Sequence, residues 1–141
     1  MAEFTLHFDR SVKPYDEILA ILCGGEKIHY CFSNMAQDVI VFTDRRIIYD
    51  HKDGLIGAKH DLTTIPYRSF IKWHTVNAAL IDMTALLEFW TIQDQYKITT
   101  DRSLDLMPIH KIISSCVLSR IAPSLSATFR TAEARALGIA S

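Results

Sequence analysis

The hydrophobic period changes twice along the chain. Residues 1–13 are mixed in character and read as an edge strand or a loose segment. Residues 15–22, YDEILAIL, carry a helical pattern. Asp16 and Glu17 sit at its start, where the helix dipole favours negative charge, and Pro14 is tolerated just ahead. Gly24 and Gly25 stop it. The period then shortens. Residues 27–33 (KIHYCFS), 38–43 (DVIVFT) and 46–50 (RIIYD) are aromatic and β-branched runs between polar breaks, which is strand composition. Asp53-Gly54 signals a hairpin, and Ile65-Pro66-Tyr67 a bend. Residues 69–76 alternate, with Ile71 and Trp73 on the better core face. Residues 86–93 and 96–100 predict a further hairpin turning at Asp94-Gln95.

After Thr100 the helical period returns. Asp101, Ser103 and Asp105 are candidate N-caps, Pro108 belongs in the first turn, and Leu106, Ile109, Ile113, Cys116 and Val117 make one apolar face over a helix at 104–118. Residues 119–141 are rich in Ala and Ser, and read as a marginal helix or a frayed tail. The organisation expected is an N-terminal segment (1–14), one domain (15–118) and a C-terminal tail (119–141). The class is α+β. About seven short strands form two packed antiparallel sheets, a half-open barrel whose end a single helix plugs.

Composition adjusts this picture in three places. Lys plus Arg is 15 against 16 for Asp plus Glu, a net charge of -1, so no global positive field draws in nucleic acid. Hydrophobic residues make up 49% and mean hydropathy is +0.12, high for a monomer of 141 residues, which points to surface hidden in an oligomer. The odd set Cys23, Cys31 and Cys116, without a C-x-x-C pair, argues against a disulfide framework and for a cytoplasmic location. The first ten residues, broken by Glu3, His7, Asp9 and Arg10, are not expected to form a leader, and no apolar run is long enough to span a bilayer.

Three phrases carry a resemblance. Residues 38–49 (DVIVFTDRRIIY), 54–59 (GLIGAK) and 65–70 (IPYRSF) resemble, in order and spacing, motifs of the bacterial pleckstrin-homology-like (PH-like) family. The resemblance covers residues 15–118. It implies a PH-like barrel with a C-terminal helix, no catalysis, and assembly into homo-oligomers, often rings. Residues 77–88 depart from the family's Gly- and acid-containing pattern, with only Asp82 retained.

Candidate chemistry is sparse. The histidines at 7, 29, 51, 60, 74 and 110 show no zinc spacing; His29 and Cys31 on one strand face supply two ligands at most. Asp50, Asp53 and Gly54 echo a calcium loop without its later ligands. Gly54-Leu-Ile-Gly57 matches the GXXG of KH modules but follows a strand-like run and lacks a basic surplus. Cys116 on an apolar helix face behaves as a small hydrophobe, not a nucleophile. Neither catalytic nor metal-binding residues, nor a cofactor, are expected. Arg45, Arg46, Lys52 and Lys59 are the candidate ligand-binding residues, in a basic run with Arg68 and Lys72 that Asp44, Asp50, Asp53 and Asp61 interrupt. Leu80, Ile81 and Leu86, in an apolar run over 78–87, are the candidate oligomer interface. The expected function is a binding or scaffolding module acting through protein contacts and self-assembly, with a protein partner the sequence does not name. The alternative is a peripheral module for anionic lipid head groups, which the interleaved acids disfavour; a third reading is a small-molecule cavity under the helix.

Overall fold

The computed structural model describes residues 1–53, 59–77, 84–101 and 105–121, side chains excepted at 53, 120 and 121. In chain order the elements are β1 (Ala2–Phe8), β2 (Arg10–Ser11), α1 (Asp16–Ala20), β3 (Ile28–Ser33), β4 (Val39–Thr43), β5 (Arg46–Asp53), β6 (Lys59–Pro66), a 3-10 turn (Tyr67–Ser69), β7 (Lys72–Val76), β8 (Ala85–Trp90), β9 (Asp94–Thr100) and α2 (Met107–Ile121). The strands form a four-stranded sheet, β1-β9-β8-β7, and a five-stranded sheet, β2-β3-β4-β5-β6. All pairings are antiparallel except β1 with β9, which is parallel.

Nine strands among the described residues replace the expected seven, because residues 1–13 pair. β1 joins one sheet and β2 the other, with Asp9 between them. The Asp9 N–H donates to Ser33 O at 3.1 Å and the Asp101 N–H to Phe8 O at 3.2 Å, so this crossing stitches the two sheets along one seam. Residues 2–11 therefore join the two sheets along one side, and among the described residues the barrel stays unclosed along β6. The Asp53-Gly54 hairpin signal is matched by the β5–β6 pairing, which runs from Arg46↔Pro66 to Asp53↔Lys59; residues 54–58 themselves lie outside the described residues.

β4 is buried throughout, which explains its unbroken VIVFT run: both faces of its sheet are covered. Inward, Ile40 and Phe42 meet the main core with Phe8, Phe32, Ile47, Phe89 and Ile98. Outward, Val39 and Val41 pack with Cys31, Ile48 and Ile18 of α1 in a second core. On the four-stranded sheet an aromatic ladder crosses the inner face. Phe70 stacks on Phe89 at 4.0 Å, Phe89 on Tyr96 at 4.9 Å, and Tyr96 on Phe4 at 4.8 Å. Cross-strand aromatic pairs of this kind add to simple burial.

Two local expectations need correction. Ile71 is not core: it is 59% exposed, whereas Phe70, placed on the opposite side by alternation, is fully buried. The alternation fails because the 3-10 turn reaches to Ser69 and β7 begins only at Lys72, so residues 70 and 71 are not in strand geometry. The β8–β9 turn is at residues 91–93, not at Asp94-Gln95. Asp94 and Gln95 already belong to β9, and the Thr91 Oγ1 accepts from the Asp94 N–H at 3.0 Å.

α2 starts at Met107, and Asp105 caps it by accepting from the Met107 N–H at 3.0 Å. Its Ile109, Ile113 and Val117, with Leu106 just before it, are buried in the main core, where they plug the barrel end as their spacing predicts. Replacing fully buried Ile113 with Ala should destabilise the domain by about 2–5 kcal/mol in denaturant unfolding. Leu118→Ala, on the exposed face of the same helix, should change stability by no more than about 0.5 kcal/mol.

Candidate functional site

The tight turn between β4 and β5 is the polar centre of the molecule. Thr43 is fully buried, and its Oγ1 accepts the N–H groups of Arg45 and Arg46, each at 3.0 Å, which closes the turn. The same hydroxyl donates to Glu26 Oε2 at 2.7 Å. Arg46 grips both oxygens of Glu26, Nε to Oε2 and Nη2 to Oε1, each at 2.9 Å. It also donates to Ile21 O at 2.7 Å and Thr64 Oγ1 at 3.1 Å. The Glu26 side chain is fully buried and that of Arg46 is 15% exposed.

Glu26 reaches this position because Gly25, at φ +77°, turns the chain after α1. The Glu26 N–H donates to Cys23 O and the Cys23 N–H to Glu26 Oε1. Burial disfavours the Glu26 charge, but Arg46, the Cys23 N–H and the Thr43 hydroxyl outweigh it and lower its pKa from 4.5 to about 2. Tyr67 completes the hub from below: its hydroxyl donates to Thr43 O at 2.8 Å and its N–H to Arg45 O at 3.0 Å. Burial pushes that phenol above its ordinary value. The FTDRR and IPY phrases of the sequence thus meet in one network.

The four candidate ligand-binding residues are not brought together. Arg45 and Arg46 stand at one end of the β5–β6 hairpin, Lys52 and Lys59 at the other. Six residues of strand separate Arg46 from Lys52, about 20 Å. Arg46 is committed to Glu26, Ile21 and Thr64, whereas Arg45 is half exposed, with one donor on Gly24 O at 3.1 Å. Lys52 lies 5.7 Å from the Tyr15 ring centroid, and Lys59 is exposed at the start of β6. Of the candidate interface residues, Leu80 and Ile81 lie outside the described residues. Leu86 is half-buried on the outer face of the four-stranded sheet, opposite Val76, while Ala85 and Leu87 point into the core.

Two aspartates at the five-stranded sheet are buried, which the sequence pattern does not anticipate. Asp38 accepts from the Lys52 N–H at 3.0 Å and the Tyr49 hydroxyl at 3.0 Å, and lies 3.1 Å from His51 Nδ1. Burial opposes its charge, yet these three groups lower its pKa below the ordinary aspartate value. Asp50, considered above for a calcium loop, is fully buried; it accepts the Tyr15 hydroxyl and lies 2.8 Å from His60 Nδ1. Among the described residues no three His, Cys, Asp or Glu side chains converge as a metal site. Cys31 is buried, and burial pushes its thiol up to about 11. GXXG at 54–57 lies between two strands, not the two helices of a KH module.

Open space is found where the sheets part. One cleft, about 500 Å3, runs along β6 from Thr63 to Pro66 and faces Ile71, Ile92 and Tyr96. A second, about 360 Å3, shares Thr63 and Tyr96 with it and reaches Phe4 and His51. A groove of about 600 Å3 opens at the hub between Arg45, Arg68 and the end of α2.

Two packed sheets and a capping helix define a PH-like domain. The chain belongs to the bacterial PH domain family, whose pattern it matches over residues 7–117. It is similar to solved structures with this fold. A DUF1696 family protein with a pleckstrin-homology domain from Shewanella loihica PV-4 shares 24% identity at a TM-score of 0.56, over 72% of this chain and 87% of that one. A PH-domain-containing bacterial protein from Exiguobacterium sibiricum 255-15 shares 18% identity at a TM-score of 0.51, over 82% and 62%. The uncharacterised protein YjqA of Bacillus subtilis (strain 168) is 36% identical over 75 residues, 53% of this chain and 59% of that protein's length. Among the described residues no helix is long and apolar enough to cross a membrane.

Glu26→Gln should destabilise the fold by about 2–4 kcal/mol, because it leaves Arg46 largely buried without its anion. The pH profile has a defined sign. The folded-state pKa of Glu26 is depressed, so its contribution is full above about 4.5 and fades as pH falls towards about 2. Urea midpoints should therefore drop between about pH 5 and pH 3, and drop less steeply in Glu26→Gln.

Proposed function

We propose that this domain is a non-catalytic binding module that works through protein contacts, and that a second copy of the chain occupies the open edge of β6. The observation that carries this is β6 itself. Among the described residues it ends the five-stranded sheet, pairs only with β5, and leaves six of its eight residues exposed. Unpaired edge backbone is a template for another strand unless it is blocked. Apolar side chains border it: Leu62 is 39% exposed, Ile71 59% and Ile92 84%. The high apolar share of the sequence fits surface of this kind being covered.

A closed ring needs two different patches on each copy. The outer face of β7–β8, with Val76 at 43% exposure opposite Leu86, supplies the second, next to the segment that holds Leu80 and Ile81. The anionic-lipid reading has less support, because its basic residues are divided between the two ends of a hairpin and Arg46 is held by a buried carboxylate.

Light scattering coupled to size exclusion should give an oligomer for the wild type. Leu62→Lys with Ile71→Lys, and separately Val76→Glu with Leu86→Glu, should each shift it towards monomer with the circular-dichroism spectrum unchanged. A wild type that stays monomeric at high concentration overturns the reading. Vesicles containing anionic lipid should sediment no more protein than neutral vesicles do; salt-sensitive binding to the anionic vesicles would favour the lipid alternative.

A further inference from the structure

The groove at the hub shares Pro66 with the β6 cleft but differs from it in chemistry. We propose that it binds a small organic molecule carrying an oxyanion, a phosphate or a carboxylate, whose charged group is held between Arg45 and Arg68. The groove measures about 600 Å3, within the range of small-molecule sites and far larger than a bare phosphate needs. Among the described residues three guanidinium groups and one carboxylate line it. The carboxylate is Glu26, and Arg46 neutralises it through two hydrogen bonds, so these two form a fixed wall without net charge. The charge offered to a ligand is that of Arg45 and Arg68.

Both arginines are exposed, yet their backbones are fixed. The Tyr67 N–H donates to Arg45 O at 3.0 Å, and Arg68 is the next residue of the 3-10 turn on which α2 packs. Arg45 keeps one donor on Gly24 O and has Asp44 only at 4.0 Å, with both side chains open to water. Arg68 has no ion-pair or hydrogen-bond partner among the described residues. Planar guanidinium forks suit phosphate and carboxylate oxygens. Pro66 and Cys116 offer an apolar floor, which fits an organic body behind the charged group. Cys23 is exposed on the rim, where it reports occupancy.

The test uses the full chain and three probes: phenyl phosphate, phenylacetate and inorganic phosphate. In amide and arginine-Nε NMR titrations, an aryl oxyanion should shift Arg45, Arg68, Gly24 and Gly25, with a dissociation constant of about 1 mM or tighter. It should also slow maleimide labelling of Cys23. Preference among the probes tells phosphate from carboxylate, and an organic ligand from the free ion. Arg45→Gln with Arg68→Gln should weaken binding at least about tenfold, while Lys52→Ala with Lys59→Ala should leave it unchanged. Absence of saturable shifts at the groove with every probe, or binding that survives the double arginine substitution, overturns the proposal. Neither outcome bears on the oligomeric state, so this proposal and that of self-assembly fail separately.

Discussion

The fold depends on one buried ion pair. Glu26 and Arg46 join the turn after α1 to the start of β5, with Thr43 holding both ends of the connection. Burying a carboxylate is costly unless donors meet its oxygens, and for Glu26 the donors are Arg46, Thr43 and the Cys23 N–H. The pair acts as a clamp on geometry. It fixes where α1 lies on the outer face of the five-stranded sheet, and so closes the second core around Ile18. Through Thr43 O and Arg45 O it also fixes Tyr67, and Tyr67 sets the 3-10 turn that leads to β7.

From this clamped end the barrel opens in one direction. The β1–Asp9–β2 crossing closes one seam with backbone hydrogen bonds, and α2 plugs the end with Ile109, Ile113 and Val117. Along β6 neither device operates among the described residues, so the sheets part there and β6 ends its sheet. The aromatic ladder spans this gradient. Phe70 and Phe89 lie at the fully buried end, and Phe4, 42% exposed, lies at the cleft. A domain built this way has a rigid hub with a charged groove at one end and an open edge along its side. The two surfaces adjoin at Pro66, which lines both the groove and the β6 cleft.

Much of the fold was legible in the sequence because its signals are local. VIVFT and RIIYD have the composition of buried strands, Asp53-Gly54 marks a hairpin, and the spacing of Ile109, Ile113 and Val117 marks one helical face. These follow from backbone sterics and from side-chain periodicity, which neighbouring residues settle between themselves. Alternation misled at residues 70 and 71, where a 3-10 turn shifts the phase and a buried Phe stands beside an exposed Ile. The mixed segment 1–13 gave no clear period, since β1 lies beside a sheet partner 92 residues away and much of it stays exposed.

The site was less legible, for a physical reason. Proximity in sequence made Arg45, Arg46, Lys52 and Lys59 look like one basic patch, but an extended strand carries its ends far apart. Arg46 and Arg45 are adjacent in the chain and opposite in role, because only the first lies within reach of Glu26, 20 residues away. Arg68 joins Arg45 at the groove through a single backbone hydrogen bond between Tyr67 and Arg45. By itself the sequence determined the elements from α1 to α2 and the family, which rest on short-range pattern. Only the tertiary structure decided which charges are consumed inside the fold and which stay open to water, because that depends on distances between residues that the chain alone does not relate.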